Sequence, residues 1–334
     1  MSRMQPSHFA DWLARTPVWH RFVILVLFTS LLSDRALGAS TYGLDGSHFY
    51  CAQELPGSAT KNLVIASSLK AVGIPISTST DADLKKGVDM FGALFMSDLD
   101  KRWPSKRIPY VIDLTVKNES ANLVGAVRAS ADYINRRTFV RLTEIQETDV
   151  EKEPGYVRVV LYSLIDQGMS FPCAAKQMGY HAAPPEHIIW VGGPGKSLKF
   201  CNQYDAASIV HEFLHAVGLR HEMGHKLRDA YIKIDEENLD KDGKYQFWAK
   251  ADQKNEIREA ETAGLPYDFT SIMHYPISAL AKDPSKPSFV IVEPDGKIAL
   301  DAIKAKEPAF QIGQHNCMSE TDAGAVNLLY ASAP

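Results

Sequence analysis

His211-Glu212-Phe213-Leu214-His215-Ala216-Val217-Gly218-Leu219-Arg220-His221-Glu222 carries the pattern H-E-x-x-H-x-x-G-x-x-H-E. Side chains four residues apart lie one above the other on a single helix face, so His211 and His215 reach one metal ion together. Glu212 follows the first of them directly. It stands beside that face, next to a water that the metal activates, without being a ligand itself. Gly218 takes backbone angles that a residue with a Cβ resists. A helix that stops and turns there brings His221 back as a third ligand. Three histidines and one open position are the arrangement of a catalytic zinc ion, whereas a structural site is closed. The helical context the motif demands is also present. Ile209, Val210, Phe213, Leu214 and Val217 make this a buried helix, in which unpaired histidines are costly. H-E-x-x-H alone recurs by chance, and two surface histidines around a glutamate would explain it. The added glycine, third histidine and second glutamate are much harder to obtain that way.

A second stretch, Ser271-Ile272-Met273-His274-Tyr275, follows Gly264 and Pro266. Together the two stretches resemble the astacin family of metzincin metalloproteases, which pairs H-E-x-x-H-x-x-G-x-x-H-E with a Met-turn of the form S-x-M-H-Y. Trp103-Pro104 and Ile108-Pro109-Tyr110-Val111-Ile112 are similar to the opening of astacin catalytic domains. The likeness covers roughly residues 95–331, with the extended motif as its anchor. It implies an α+β, metzincin-like catalytic domain. The N-terminal half holds a twisted mixed sheet and two long helices. The C-terminal half is less regular, and the substrate cleft lies between the halves.

The resemblance also implies roles. Met273 packs beneath the metal site, although ordinary core filling would place it equally well. Tyr275 matches the tyrosine that ligates zinc and swings towards the reacting carbonyl; as a residue alone it could be a core tyrosine. His274 is not a ligand in the family. Glu222 is expected to meet the amino terminus of the processed enzyme through a water-linked contact, the alternative being a surface carboxylate. Cys173 and Cys201 match in order the disulfide that precedes the metal helix. The usual second disulfide has no counterpart, since Phe139 holds its strand position. A Cys51–Cys317 bond remains by elimination. After His221, Arg228, Asp229 and Tyr231 match the family pattern, while His225 and Leu227 depart from it.

The rest of the chain fits an exported enzyme. Its 334 residues allow one larger domain and a smaller segment. The formal charge of −4, with no long basic run, argues against nucleic acid or an anionic membrane surface as partner. Arg15, His20 and Arg21 precede an apolar run from Phe22 to Leu32, and Ala36-Leu37-Gly38-Ala39 supplies small residues for signal peptidase. Residues 1–39 therefore read as a signal peptide. The run is too short to span a bilayer comfortably, so no stable membrane association is expected, although an uncleaved anchor stays open. Residues 40–94 read as a pro-segment that covers the cleft as an intramolecular inhibitor, and residues 95–334 as the protease domain. The resemblance places maturation near 91–96. Phe95-Met96-Ser97-Asp98 is only a partial match to the family's zinc-blocking motif. Cys51 is open between a zinc-blocking thiol, a disulfide partner and a free core cysteine. Asn118-Glu119-Ser120 is a glycosylation sequon.

Val124, Val127, Ala131 and Ile134 have helical spacing, which predicts a helix over 119–137. Phe139 to Ile145, Tyr156 to Tyr162 and Ile188 to Val191 predict strands. An edge strand able to pair with an extended substrate is expected within 173–200. Residues 235–262 are compatible with helix, and Phe289 to Val292 with a short strand. Ser319 to Tyr330 predicts a terminal helix capped by Ser319 with Asp322 at its third position. The expected function is secreted, zinc-dependent hydrolysis of peptide bonds in protein or peptide substrates. One zinc ion sits on His211, His215 and His221, and Glu212 serves as general base and acid. The alternative is a secreted, non-catalytic binding protein on the same scaffold.

Overall fold

β-Branched residues at alternating positions build the sheet. The computed structural model describes residues 102–119, 121–161, 173–191, 206–225, 227–247 and 267–331. Five strands form one sheet in the order β2-β1-β3-β5-β4. They are β1 (Arg107–Ile112), β2 (Arg141–Glu144), β3 (Tyr156–Leu161), β4 (Ala174–Ala175) and β5 (Glu186–Val191). All pairings are parallel except β4 with β5, so the sheet is mixed. β5 shows why its residues suit a sheet that packs on helices. His187, Ile189 and Val191 point to the buried face while Glu186, Ile188 and Trp190 alternate outward. β4 is the short edge strand expected between 173 and 200.

Two helices cover the sheet. A short helix, α1 (Leu114–Glu119), precedes α2 (Ala121–Arg137), which is the helix expected over 119–137. Leu123, Val127, Ala131 and Ile134 form the buried stripe of α2, whereas Val124 is only partly buried. α3 (Ala206–Val217) is buried along its whole length, including both motif histidines and Glu212. Burying a side chain such as Phe213 or Leu214 contributes about 1.5–3 kcal/mol, so this helix is held by packing on all sides. Ser130 on α2 donates to Ala206 O at 2.9 Å, joining the two helices at the start of α3.

The C-terminal half is less regular, as expected. It contains β6 (Ile232–Ile234) paired antiparallel with β7 (Phe289–Ile291), α4 (Lys241–Gln246), α5 (Asp295–Lys306) and α6 (Glu320–Leu329). α5 was not expected from the sequence. Gly296 is its single fully buried residue, and Ala299, Leu300 and Ile303 pack part-buried against the core on the same face, a short stripe between exposed charged positions. α6 begins with the predicted capping box. Ser319 Oγ accepts from Asp322 N at 3.0 Å, and Asp322 Oδ2 accepts from Ser319 N at 2.8 Å. Among the described residues no helix is long and apolar enough to cross a membrane. The signal region, the pro-segment with Cys51, Cys201 and the helical expectation beyond residue 247 lie outside the described residues.

His187 is a buried titratable group of the sheet's inner face, 1% exposed. Its ring lies 4.8 Å from that of Trp103, 5.9 Å from that of Tyr180 and 5.8 Å from that of His181. Nε2 accepts from His181 N at 3.3 Å, which puts the single proton of the neutral ring on Nδ1. Burial, and then the charge of His181, push its pKa down to about 4. The folded state therefore binds this proton less readily than the unfolded chain. Stability from the neutral ring is complete above the unfolded value of about 6.5 and is lost as pH falls from there towards 4. His187→Gln should flatten the decline in urea-unfolding free energy between pH 6.5 and 4 by an amount on the order of 2–3 kcal/mol. Parallel pH profiles for the two proteins would remove this role.

Candidate metal centre

α3 ends in a defined cap that sets the turn between the second and third histidines. Leu219 N donates to Leu214 O at 2.9 Å, and Gly218 N donates to His215 O at 3.0 Å. This is a Schellman arrangement with Gly218 at φ +126°. The chain then reverses, and His221 returns beneath the helix. Nε2 of His221 lies 3.2 Å from Nε2 of His211 and 3.0 Å from Nε2 of His215. All three rings are buried.

The other ring nitrogens explain that convergence. His215 Nδ1 is 2.7 Å from Leu219 O, and His211 Nδ1 is 2.8 Å from Ile272 O. A carbonyl only accepts, so both Nδ1 atoms carry the proton and both Nε2 atoms present lone pairs. Facing lone pairs about 3 Å apart repel unless a cation lies among them. Burial pushes the pKa of His215 down to about 4 and those of His211 and His221 well below the ordinary value, with neighbouring rings of the triad also opposing charge on the latter two. The three ligand atoms lie within 4.8 Å of one another and form a metal-compatible group. An all-imidazole donor set of this size suits zinc.

Glu212 sits beside the triad. Its Oε2 accepts from Ala175 N on β4 at 2.6 Å, and its Oε1 is 3.4 Å from Sγ of Cys173. Burial raises its pKa to about 8, and the hydrogen bond from Ala175 partly opposes that rise. Tyr275 is half-buried, with its ring 4.3 Å from that of His221. Burial and the charge of Glu212 hold its hydroxyl above the ordinary tyrosine value.

The Met-turn lies under the histidines. Met273 is buried, and its carbonyl accepts from Glu222 N at 3.0 Å. Asp322, known from sequence only as a cap residue, also holds this turn. Its carboxylate accepts from Ser271 Oγ at 2.6 Å and from Ile272 N at 2.9 Å, and Ile272 O in turn holds His211. His274 is turned away from the triad: its Nε2 is 2.6 Å from Tyr267 Oη. Glu222 is fully buried rather than at the surface. Its Oε1 accepts from Asp268 N at 2.7 Å, while Glu222 Oε2 and Asp268 Oδ2 are buried without a hydrogen-bond partner. Burial, and then Asp268, raise the Glu222 pKa well above the ordinary value.

Two further residues at the site had no signal in the sequence reading. Ala175 contributes a backbone N–H, which no side-chain motif reports. His315 has its ring 6.5 Å from that of His211. It lines a cavity of about 330 Å³ with Pro276, Phe310, Ile312 and Gln314. Cys173 and Cys317 are both disulfide-bonded. The expected partner Cys201 is outside the described residues.

Residues 190–331 match the family model described as Astacin, a peptidase family. Similar curated proteins include zinc metalloproteinase nas-14 of Caenorhabditis elegans, 25% identical over 232 residues, covering 69% of this chain and 37% of the relative. Zinc metalloproteinase nas-8 of Steinernema carpocapsae is 32% identical over 200 residues, covering 60% of this chain and 40% of the relative. Among solved structures, high choriolytic enzyme 1, a hatching enzyme zinc-protease from Oryzias latipes, aligns at 23% identity with a TM-score of 0.49. That alignment covers 70% of this chain and 95% of the other. The chain spans about two fifths of the length of the curated relatives named here.

Gly218→Ala tests the cap. An added Cβ meets Leu329 Cδ2 at 3.1 Å and forces a side chain into a positive-φ backbone. The substitution should lower unfolding free energy by about 1–2 kcal/mol in thermal denaturation of the zinc-free protein. An unchanged midpoint would show that the turn tolerates a Cβ.

Proposed function

With an astacin-family domain over residues 190–331 as the premise, we propose that this protein is a zinc-dependent endopeptidase acting on proteins or peptides. The convergence of three Nε2 lone pairs beside a buried carboxylate carries this reading. Zinc held by His211, His215 and His221 supplies Lewis acidity, which polarises a peptide carbonyl and acidifies water. Glu212 takes the proton of the attacking water and passes it to the leaving amide nitrogen. Its place beside the triad, with Oε2 held by the Ala175 N–H of the edge strand, suits both transfers. The hydroxyl of Tyr275, kept protonated by burial, donates to the developing oxyanion. An extended substrate adds to the sheet edge at β4, and the cavity beside His315 accepts one of its side chains.

Export and maturation belong to the same reading. The disulfide bonds of Cys173 and Cys317 support an oxidising compartment, in keeping with a signal peptide over residues 1–39. The buried, unpartnered oxygens of Glu222 and Asp268 suit an ammonium group. The α-amino group freed when the inhibitory segment 40–94 is removed is that cation.

Processed protein incubated with a complex peptide mixture, with cut sites read by mass spectrometry, tests the activity. Glu212→Ala should keep its zinc and lose about 100- to 10,000-fold in cleavage rate. Full turnover in that variant would remove Glu212 as the base. No cuts from zinc-loaded, processed wild-type protein would instead leave a binding protein on this scaffold.

A further inference from the structure

The ring of Tyr275 stands beside that of His221 on a segment without regular secondary structure. A side chain on such a segment is placed only as well as its backbone, and a misplacement of about 1 Å can cost a reaction about 100-fold. The backbone of Tyr275 is gripped on both sides. Its N–H donates to Met223 Sδ at 3.2 Å, in the short 3-10 turn after His221. Its carbonyl lies 2.7 Å from Nδ1 of His274. A carbonyl only accepts, so Nδ1 of His274 carries a proton and donates it to this bond.

His274 is held in turn. It is 1% exposed, and burial keeps the ring neutral, so Nε2 presents a lone pair. Tyr267 Oη lies 2.6 Å from that nitrogen and donates to it. With each nitrogen engaged by a different partner, both the tautomer and the direction of the ring are set. Phe269 and Phe289 pack on the His274 ring at 5.8 and 5.7 Å between centroids. Tyr267 is itself well anchored. Its buried ring stacks on that of Tyr231 at 4.9 Å and meets those of Phe269 and His225 edge-on at 5.2 and 5.7 Å. A chain of two hydrogen bonds therefore runs from a packed aromatic cluster, through a ring turned away from the triad, to the backbone of Tyr275.

We propose that His274, held by Tyr267, is a positioning residue for Tyr275: its Nδ1–H grips the Tyr275 carbonyl and so fixes where the Tyr275 hydroxyl stands when the oxyanion forms. This rests on the role given to Tyr275 above. Removing the donor lets the segment shift, so turnover falls while the three histidines keep their metal. The loss acts through Tyr275 and disappears when the Tyr275 hydroxyl is absent.

The experiment has two readouts. Nitrogen NMR of isotopically labelled histidine rings in the zinc-free protein should show His274 as the Nδ1-protonated tautomer, assigned by its loss in a His274 variant. Peptide-cleavage kinetics of zinc-loaded, processed protein then compare His274→Leu and Tyr267→Phe, each alone and combined with Tyr275→Phe. His274→Leu should keep its zinc and its KM and lose about 10- to 100-fold in kcat. Tyr267→Phe, which removes one oxygen, should lose about 3- to 10-fold. In the Tyr275→Phe background either change should cost less than about 2-fold, because the interaction it removes no longer has an object. Should His274→Leu not fold, the Tyr267→Phe cycle decides. Wild-type kcat in a folded His274→Leu protein would overturn the proposal. So would equal losses with and without the Tyr275 hydroxyl, the mark of a merely structural role, or an Nε2-protonated His274. A Tyr275→Phe protein with wild-type kcat would instead strike the reading of Tyr275 on which the proposal stands.

Discussion

The hydrogen bonds from His215 Nδ1 to Leu219 O and from His211 Nδ1 to Ile272 O are the constraint on which the rest depends. They decide the tautomer of two buried imidazoles, and so decide that lone pairs rather than N–H groups face the centre. Each carbonyl has a structural history. Leu219 O is aimed by the cap at Gly218, whose positive φ ends α3. Ile272 O is aimed by the Met-turn, which Asp322 grips from the first turn of α6. A terminal helix about a hundred residues downstream of the motif is therefore part of what orients its first histidine.

The centre is also an electrostatic problem. Glu212, Glu222, Asp268 and Asp322 gather near the histidines, and burial raises the pKa of Glu212, Glu222 and Asp322. Asp322 is compensated by a hydroxyl and two backbone N–H groups. Glu212 has one backbone donor, from the edge strand. Glu222 and Asp268 each keep a buried oxygen without a donor. Such groups are expensive in a domain whose net stability is small. Positive charge lowers that cost, and zinc at the histidines and the ammonium proposed at Glu222 would each supply it.

The two halves contribute differently. The sheet, α2 and α3 form a rigid platform with continuous apolar packing. The C-terminal half has short elements that approach the site one residue at a time, through Ile272, Tyr275 and His315. Regular packing gives the first two ligands and Glu212 their fixed positions. Local turns and single hydrogen bonds position the remainder, as where Arg228 ties the turn after His221 to Phe247 O at the end of α4.

Spacing and local chemistry were enough to determine a great deal from sequence alone. The i, i+4 histidines, the glycine turn, the parallel strands' β-branched runs and the Ser319–Asp322 capping box all act over a few residues, and a linear reading captures that range. Tertiary structure alone decided the contacts between distant positions. Ala175 meets Glu212 across 37 residues, and Ile272 meets Asp322 across 50. Neither contact leaves a periodic trace, because a backbone N–H carries no side-chain signature and a cap aspartate looks the same whether or not it holds a second element. α5 went unread although Gly296, Ala299, Leu300 and Ile303 fall on one helical face packed against the core, because a stripe this short and only partly buried is a weak periodic signal. The burial of Glu222 belongs to the same class, for a carboxylate is read as exposed until the packing of three separate segments encloses it.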